Sequence, residues 1–590
     1  MNIYFIMANN FRSIKYRWKY SKADESLVKK TAQENNIPMP ISELMVKKGI
    51  YTKDDLELFL QGSLKALRNP FELKDMERAA ERIAKAVMEH ESICIYGDYD
   101  VDGVTATAIM YIFLMQCGAN VSYYIPNRLE EGYGLNKDAI TEIASKGTNL
   151  IITVDCGISA VDEVLKAHEL GMDIIITDHH QPASQLPVAA YAMINPMRAD
   201  DTYPNKTLAG VGVAFKVIMA LRFTLRKYNF FQKEAPNIAN LLDIVTLGTI
   251  ADVMPLVDEN RIFVRYGLEL MSGDNVRIGI DELKKVIEGL NTSYKMKTYN
   301  IGFQIAPRIN AMGRMASSDK SLKLLITQNR AEAKQLAGHL DSENKYRQMI
   351  EREILQQTFD IIEIERYAEK EGGIVVASDN WHPGVIGIVA SRVVDKYYRP
   401  TIILTDDNGV YKGSARSIPG FHLYDGLNSL SDLLISFGGH KYAAGVKIAK
   451  ENLEEFRKRF NEVVNNALTK DDFIPEINID AEIQAKDITS DIMKWLEKLE
   501  PYGQDNKEPV FYMKNVTKYQ KESFVGKDNN HLKCFFEKNG VIFDAIGFNM
   551  KEYEKLLAEN NNFDILFTLV HNNWKNTKTI QLNLKDIKKS

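Results

Sequence analysis

Three aspartates stand at every second position in one short stretch: Asp98, Asp100 and Asp102 within ICIYGDYDVDGVTATA (93–108). An apolar run, Ile93 to Tyr96, precedes them, and Gly103 with small and β-branched residues follows. That order reads as a buried strand, a tight turn and then a helix. Carboxylates crowded in this way raise one another's pKa and need countercharge. A divalent cation supplies it, and oxygen ligands favour Mg²⁺ or Mn²⁺. A polar loop that caps a helix is the plainer reading of this stretch taken alone.

The elements around it decide between the two. Apolar strand candidates at 92–97, 121–125, 150–155, 173–178 and 189–194 alternate with helical stretches such as 103–117 and 159–170. This βαβ repetition predicts a mostly parallel sheet. The first strand ends in Asp98, LIITVDCG ends in Asp155, and DIIITDHH ends in Asp178, His179 and His180. Open α/β sheets bind ligands at the carboxyl ends of their strands. A helical run, LLDIVTLGTIADVMPL, leads into Asp252 as a further contribution. A single aspartate after a strand is commonly a helix cap, but several acids converging with two adjacent histidines point to a metal centre. Neutral imidazole suits Mn²⁺-like ions, and a mixed Asp/His set can hold two ions that share a carboxylate. The predicted metal ligands are Asp98, Asp100, Asp102, Asp155, Asp178, His179 and Asp252, with His180 in the catalytic set. Asp178 and His180 act either as ligands or as groups that orient them.

At 590 residues the chain is too long for one core, so three or four domains are expected. A net charge of −5 argues against a uniformly basic DNA-coating protein. It leaves room for a local basic channel, because clustered Asp can mask Lys and Arg elsewhere. Cys94, Cys117, Cys156 and Cys534 are scattered, which predicts buried thiols in a reducing compartment and no zinc site. No run approaches the ~20 apolar residues of a membrane span. The N-terminus lacks the order of a signal peptide. A cytoplasmic monomer is expected.

Residues 1–75 read as mostly helical, with ISELMVKKGI and DDLELFLQGSL spaced as amphipathic helices. Residues 76–260 form the first α/β domain. Residues 261–370 are helical, and the charged stretch from Ala331 reads as an interdomain strut. A second α/β unit, 371–465, starts with GGIVVAS and carries the glycine-rich turns GSARS and FGGH. Glycines let backbone N–H groups approach a phosphate, while Ser, Arg and His add side-chain donors. Over 466–590, alternating segments such as EPVFYMKNV, HLKCFFE, VIFDAIGF, FDILFTLV and TIQLNLKDI predict a small barrel whose order fits an OB fold. OB folds bind single strands by stacking along a basic groove, with Tyr519, Phe524, Lys533, Trp574 and Lys575 as candidates. Arg128 and Tyr133 follow the second strand; an arginine there suits a phosphate, and an aromatic suits stacking or plain packing.

GDYDVDG, VDCGIS, TDHH and IADVMPL resemble the successive motifs of the DHH phosphoesterase superfamily. Within it the chain is most similar to the RecJ family of bacterial single-strand-specific 5′→3′ exonucleases. The likeness runs on through NRLEEGYGLN, LAGVGVAFK, APRINAMGRM, WHPGVIGIVASR, KGSARS and SFGGHKYAAGV, so it covers roughly residues 75–590. The resemblance implies a parallel-sheet DHH domain and an α/β DHHA1 domain joined by a long helix, followed by an OB domain. It implies that Ser414, Arg416, Gly438, Gly439 and His440 bind phosphate, and that Arg308 and Arg314 contact the DNA backbone near its 5′ end. The family pattern LEPxGxGN reads LEPYGQDN here, with Asp505 where glycine is usual. The implied activity is two-metal (Mn²⁺ or Mg²⁺) release of 5′-mononucleotides from single-stranded DNA in repair, alongside a single-strand-binding protein and a helicase. Two other readings stand beside it: a phosphodiesterase for short oligonucleotides or cyclic dinucleotides, and an inactive DNA-binding replication scaffold.

Overall fold

The computed structural model describes residues 6–590 apart from 129–130, 133, 288–289, 291–294, 316, 371 and 575–576. Tyr133 and Lys575 therefore lie outside the described residues, as does the side chain of Trp574. The described residues start with a hairpin where helices are expected: β1 (Ile6–Arg12) pairs with β2 (Arg17–Lys22). Alternation along RWKYSK buries Trp18 and Tyr20 on one face. A two-stranded hairpin is marginal by itself, and here the distant strand Glu476–Ile479 joins β2 in parallel. Trp18 Nε1 and the Tyr553 hydroxyl each donate to the buried carboxylate of Asp586, both at 2.5 Å. The helices that follow are as expected. Ile41, Leu44 and Met45 enter the same core as Phe511 and Phe563 of the C-terminal barrel, so the two ends of the chain fold as one body.

The first α/β domain is built on β3 (Ser92–Tyr96), β4 (Asn120–Tyr124), β5 (Leu150–Val154), β6 (Asp173–Thr177) and β7 (Ala192–Ile194). Their order is β4-β3-β5-β6-β7 and every pairing is parallel. Central β5 is buried along its whole length, because helices cover both faces of the sheet. The helix Val101–Gln116 is buried along nearly all its length, wedged against the helices Gly210–Lys227 and Leu242–Ala251. That explains why VDGVTATAIMYIFLM is apolar all round.

The strut is a 36-residue helix, Arg330–Glu365, about 54 Å long at 1.5 Å per residue. It delivers the chain to a second sheet of β8 (Ile374–Ser378), β9 (Thr401–Asp407), β10 (Val410–Arg416), β11 (Leu434–Gly439) and β12 (Ala443–Ala449), in the order β11-β12-β10-β9-β8. The C-terminal seven-stranded sheet curls until Phe511–Lys518 also pairs with His531–Lys538, closing a barrel. At the barrel entrance Asp505 takes φ 57°, the left-handed conformation that the family's glycine favours and aspartate tolerates. Gly503 and Asn506 hydrogen-bond reciprocally across it, so the turn survives the departure.

Candidate metal centre

The carboxyl ends of β3, β5 and β6 lie side by side, and each side chain there is held by its own local device. Asp100 caps the helix Val101–Gln116 by accepting from Gly103 N at 3.0 Å. Asp102, two residues further on, accepts from Gly210 N at 2.6 Å and Val211 N at 2.9 Å, at the start of another helix. Asp155 sits beyond β5 at φ 64°, a conformation aspartate enters at modest cost. Asp252 ends the helix Leu242–Ala251.

Three overlapping groups of donor atoms result, each within 4.8 Å: Asp98, Asp100 and Asp155; Asp155, His179 and His180; Asp102, His179 and Asp252. His179 Nε2 lies 3.2 Å from Asp155 Oδ1, 3.6 Å from Asp252 Oδ2 and 3.8 Å from Asp102 Oδ2. Burial first, then the neighbouring carboxylates, push Asp98, Asp102 and Asp155 well above the usual range and Asp252 up to about 7. The two N–H bonds on Asp102 oppose this and lose to desolvation. Burial and the His180 charge pull His179 down to about 4, so it is a neutral lone-pair donor at pH 7.

Asp98 Oδ1 and Asp155 Oδ1 are buried and accept no hydrogen bond from the described residues. An orphaned buried acceptor costs about 1–3 kcal/mol, and more when charged. Hard divalent cations fit both the orphaned oxygens and the Asp/His donor set.

Asp178, expected either as a ligand or as an orienting group, has both oxygens hydrogen-bonded. Its Oδ1 accepts from His179 N, His180 N and His180 Nδ1, and its Oδ2 accepts from Ile158 N. It joins none of the donor groups found among the described residues. Burial alone would lower His180, but the Asp178 bond and the nearby carboxylates outweigh it and raise the imidazole to about 9. These bonds hold the His180 ring in place, the geometry that an orienting group needs.

Arg128, Arg314 and Arg416 converge from three segments. Burial and the like charges of Arg128, Arg347 and Arg416 bring Arg314 down to about 10, and burial and Arg128 also lower Arg416. Arg314 donates to Gly384 O, Arg416 to Ser414 Oγ and Ala415 O, and Arg128 lies over the Tyr99 ring. Among the described residues none of the three has a carboxylate within ion-pair distance, so the group presents donors to an anion. Arg347, which the sequence reading missed, adjoins them from within the strut. Arg308 does not join: it pairs with Asp341 of the strut at 2.8 Å and donates to Gln304 O. The pairing brings together residues 33 positions apart, which no local pattern reveals. Register places Ser414 opposite Gly445 and Gly445 opposite Gly438, a row with one side chain in three. Gly439 and His440 lie exposed at the adjoining turn. In the barrel, Tyr519 is exposed, Phe524 lies under Lys551 Nζ, and Lys533 is paired with Asp544.

Family models match three stretches: the DHH family N-terminal domain at 92–249, the DHHA1 domain at 371–466 and the RecJ OB domain at 479–586. A single-stranded-DNA-specific exonuclease RecJ of Bacillus subtilis is 39% identical over 574 residues, covering 97% of this chain and 71% of that protein. The chain belongs to the RecJ family. The RecJ of Dickeya dadantii is 34% identical, covering 94% of this chain and 97% of its own length. The crystal structure of Thermus thermophilus RecJ with Mn²⁺ superposes with a TM-score of 0.82 at 27% identity, covering 97% of this chain and 79% of that one. Its Mg²⁺ complex gives 0.76 at 26%, with 97% and 78% covered. The RecJ likeness therefore extends into the first 75 residues, which the motifs left aside.

Proposed function

We propose that this protein is a metal-dependent exonuclease that degrades single-stranded DNA from the 5′ end and releases 5′-mononucleotides. The observation that carries the reading is the apposition of two groups: buried acids crowded around His179, and three arginines that have no carboxylate within ion-pair distance among the described residues. The first suits divalent cations and the second suits the phosphates of the substrate.

Asp98, Asp100 and Asp155 would hold one ion, and Asp102, His179 and Asp252 the other. When bound, Mn²⁺ or Mg²⁺ supplies an activated water and stabilises charge at the reacting phosphoryl group. Asp178 keeps His180 oriented, with the Nδ1 proton shared between them at 2.7 Å. Arg128, Arg314 and Arg416 bind and orient the phosphates, and burial strengthens each contact by excluding water. Ser414 adds a hydroxyl donor beside Arg416, and the glycines of β11 and β12 leave room for a strand to lie flat. The reading extends to a cytoplasmic monomer that works with a single-strand-binding protein and a helicase. Four buried free thiols suit a reducing compartment, and a single-strand substrate must be supplied by unwinding.

The test uses purified protein and Mn²⁺ with a long single strand labelled at its 3′ end, the matching blunt duplex, and an Asp155→Ala control. Progressive shortening of the single strand alone, abolished by chelation and by the substitution, is expected. Cleavage confined to two- to five-nucleotide fragments would replace this reading with the short-oligonucleotide phosphodiesterase, and binding without cleavage would leave the scaffold.

A further inference from the structure

Beside the metal centre, three apolar side chains stand in solvent without a folding reason to do so. Val253 follows Asp252 at φ 56°, the left-handed position that ends a helix and normally belongs to glycine. A β-branched residue is strained there, and no burial compensates, because Val253 is 66% exposed. Tyr299 and Phe303 are 61% and 71% exposed. They rise from a helix spanning 298–315 that widens over Ile301–Ile305, where Ala306 N–H reaches back five residues to Ile301 O. Such wide turns recur at functional sites. The two rings stack with centroids 5.0 Å apart and planes 27° apart.

All three line one cleft of about 840 Å³. Arg347, Arg352 and Arg392 line it from the strut and the second domain, and Lys507 lines it from the entrance to the barrel. Glu351 and Glu508 also line it: Glu351 is engaged by Arg347 at 2.6 Å and Arg392 at 3.7 Å, and burial shifts Glu508 toward its neutral form. Arg314 belongs both to this cleft and to the arginine group at the metal centre, and Val253 follows Asp252 directly, so the cleft borders that centre.

We propose that this cleft is the track for the bases that follow the scissile phosphate: Tyr299 and Phe303 are a stacking platform, and Val253 is a wedge against the base nearest the metal centre. The assignment rests on the single-strand exonuclease reading and gives that substrate a path. Exposed stacked rings in a cleft that also carries four arginines and a lysine suit a single strand of any sequence, because every base offers a π-face and every step a phosphate. The strain at Val253 follows from the same assignment, since glycine would serve the backbone better but would touch no base.

The full-length protein in excess chelator, which prevents hydrolysis, is titrated with single strands of about 12 nucleotides carrying 2-aminopurine at successive positions from the 5′ end. Wild type should quench the probe at one or two positions. Tyr299→Ala with Phe303→Ala should lose the quench and weaken binding about ten- to hundredfold. Val253→Gly should weaken binding several-fold while raising the melting temperature, because the left-handed site favours glycine. Quench and affinity equal to wild type in the double variant would overturn the track, as would a Val253→Gly protein that loses stability along with binding. A wild type that cuts strands while the variants bind normally sinks the track and spares the exonuclease. A wild type that stacks the bases but never cuts with Mn²⁺ does the reverse.

Discussion

A Cβ on Gly210 would stand 2.4 Å from Asp155 Oδ1, closer than any real contact allows. The helix Gly210–Lys227 thus presses bare backbone against one carboxylate of the cluster, while its first two N–H groups hold another, Asp102. One helix terminus positions two carboxylates, one just beyond a strand and one in the first turn of another helix.

Gly210→Ala should therefore cripple the centre although alanine is the better helix former. Mn²⁺ binding by calorimetry should weaken at least tenfold, with a matching fall in nuclease rate. Gly338→Ala, where a Cβ meets nothing within 4 Å on the strut, should instead stabilise the fold by about 0.5–1 kcal/mol. Equal behaviour of the two variants would refute the close-approach argument.

Asp155→Asn keeps shape and a side chain that tolerates φ 64° but removes a charge common to two donor groups. Activity should fall about a thousandfold, roughly 4 kcal/mol of lost stabilisation. The metal-free variant should nonetheless melt above metal-free wild type, because a buried acid lacking countercharge is gone. A variant that melts lower in chelator would contradict the electrostatic reading of the cluster.

The pH dependence of the metal-free protein follows from Asp252, raised to about 7 by burial and by Asp100. An unfolded aspartate titrates near ~3.9, so the folded state holds this proton more tightly. The stabilisation is complete below about pH 4 and is lost as pH rises through about 7. In chelator the melting temperature of wild type should drop more between pH 6 and 8 than that of Asp252→Asn, while Mn²⁺ affinity climbs over the same interval. Parallel slopes for the two proteins would rule this out.

Asp178→Asn should leave the acids in place but release His180 from its 2.7 Å bond. A loss of about 10- to 100-fold in rate or Mn²⁺ affinity is expected. A drop as deep as that of Asp155→Asn would mean that Asp178 is a ligand after all.

At the closed ends of the chain, Asp586→Ala strands the buried donors of Trp18 and Tyr553. Unfolding in urea should show a loss of about 3 kcal/mol, with the hairpin released while the Mn²⁺ site persists. An unchanged midpoint would show that the clasp contributes nothing.

Much of the metal centre is legible in the chain because it follows from one rule of parallel sheets. Apolar runs that each end in an acid place those acids on a common edge, so Asp98, Asp155 and His179 could be grouped from strand ends alone. The turn at Asp505 was open to doubt because sequence shows the missing glycine but not the backbone, and the φ of 57° resolves it. The same blindness to pairing affects Arg308 and Arg314. They lie on one short helix in one motif, yet Asp341 occupies the first and, among the described residues, no carboxylate pairs with the second.

What the sequence determined by itself is therefore local or periodic: the strands of the first sheet, the long strut, the turns rich in glycine and the chemical types gathered at the strand ends. Only the tertiary structure decided how those types divide their work. Asp178 has both oxygens filled by four donors that fold around it, whereas Asp98 Oδ1 and Asp155 Oδ1 remain unfilled. It alone joined β2 to a strand more than 450 residues away and set Val253, Tyr299 and Phe303 around one cleft. Hydrogen-bond saturation, desolvation and long-range pairing depend on which groups meet in space, and periodicity along a chain carries no record of that meeting.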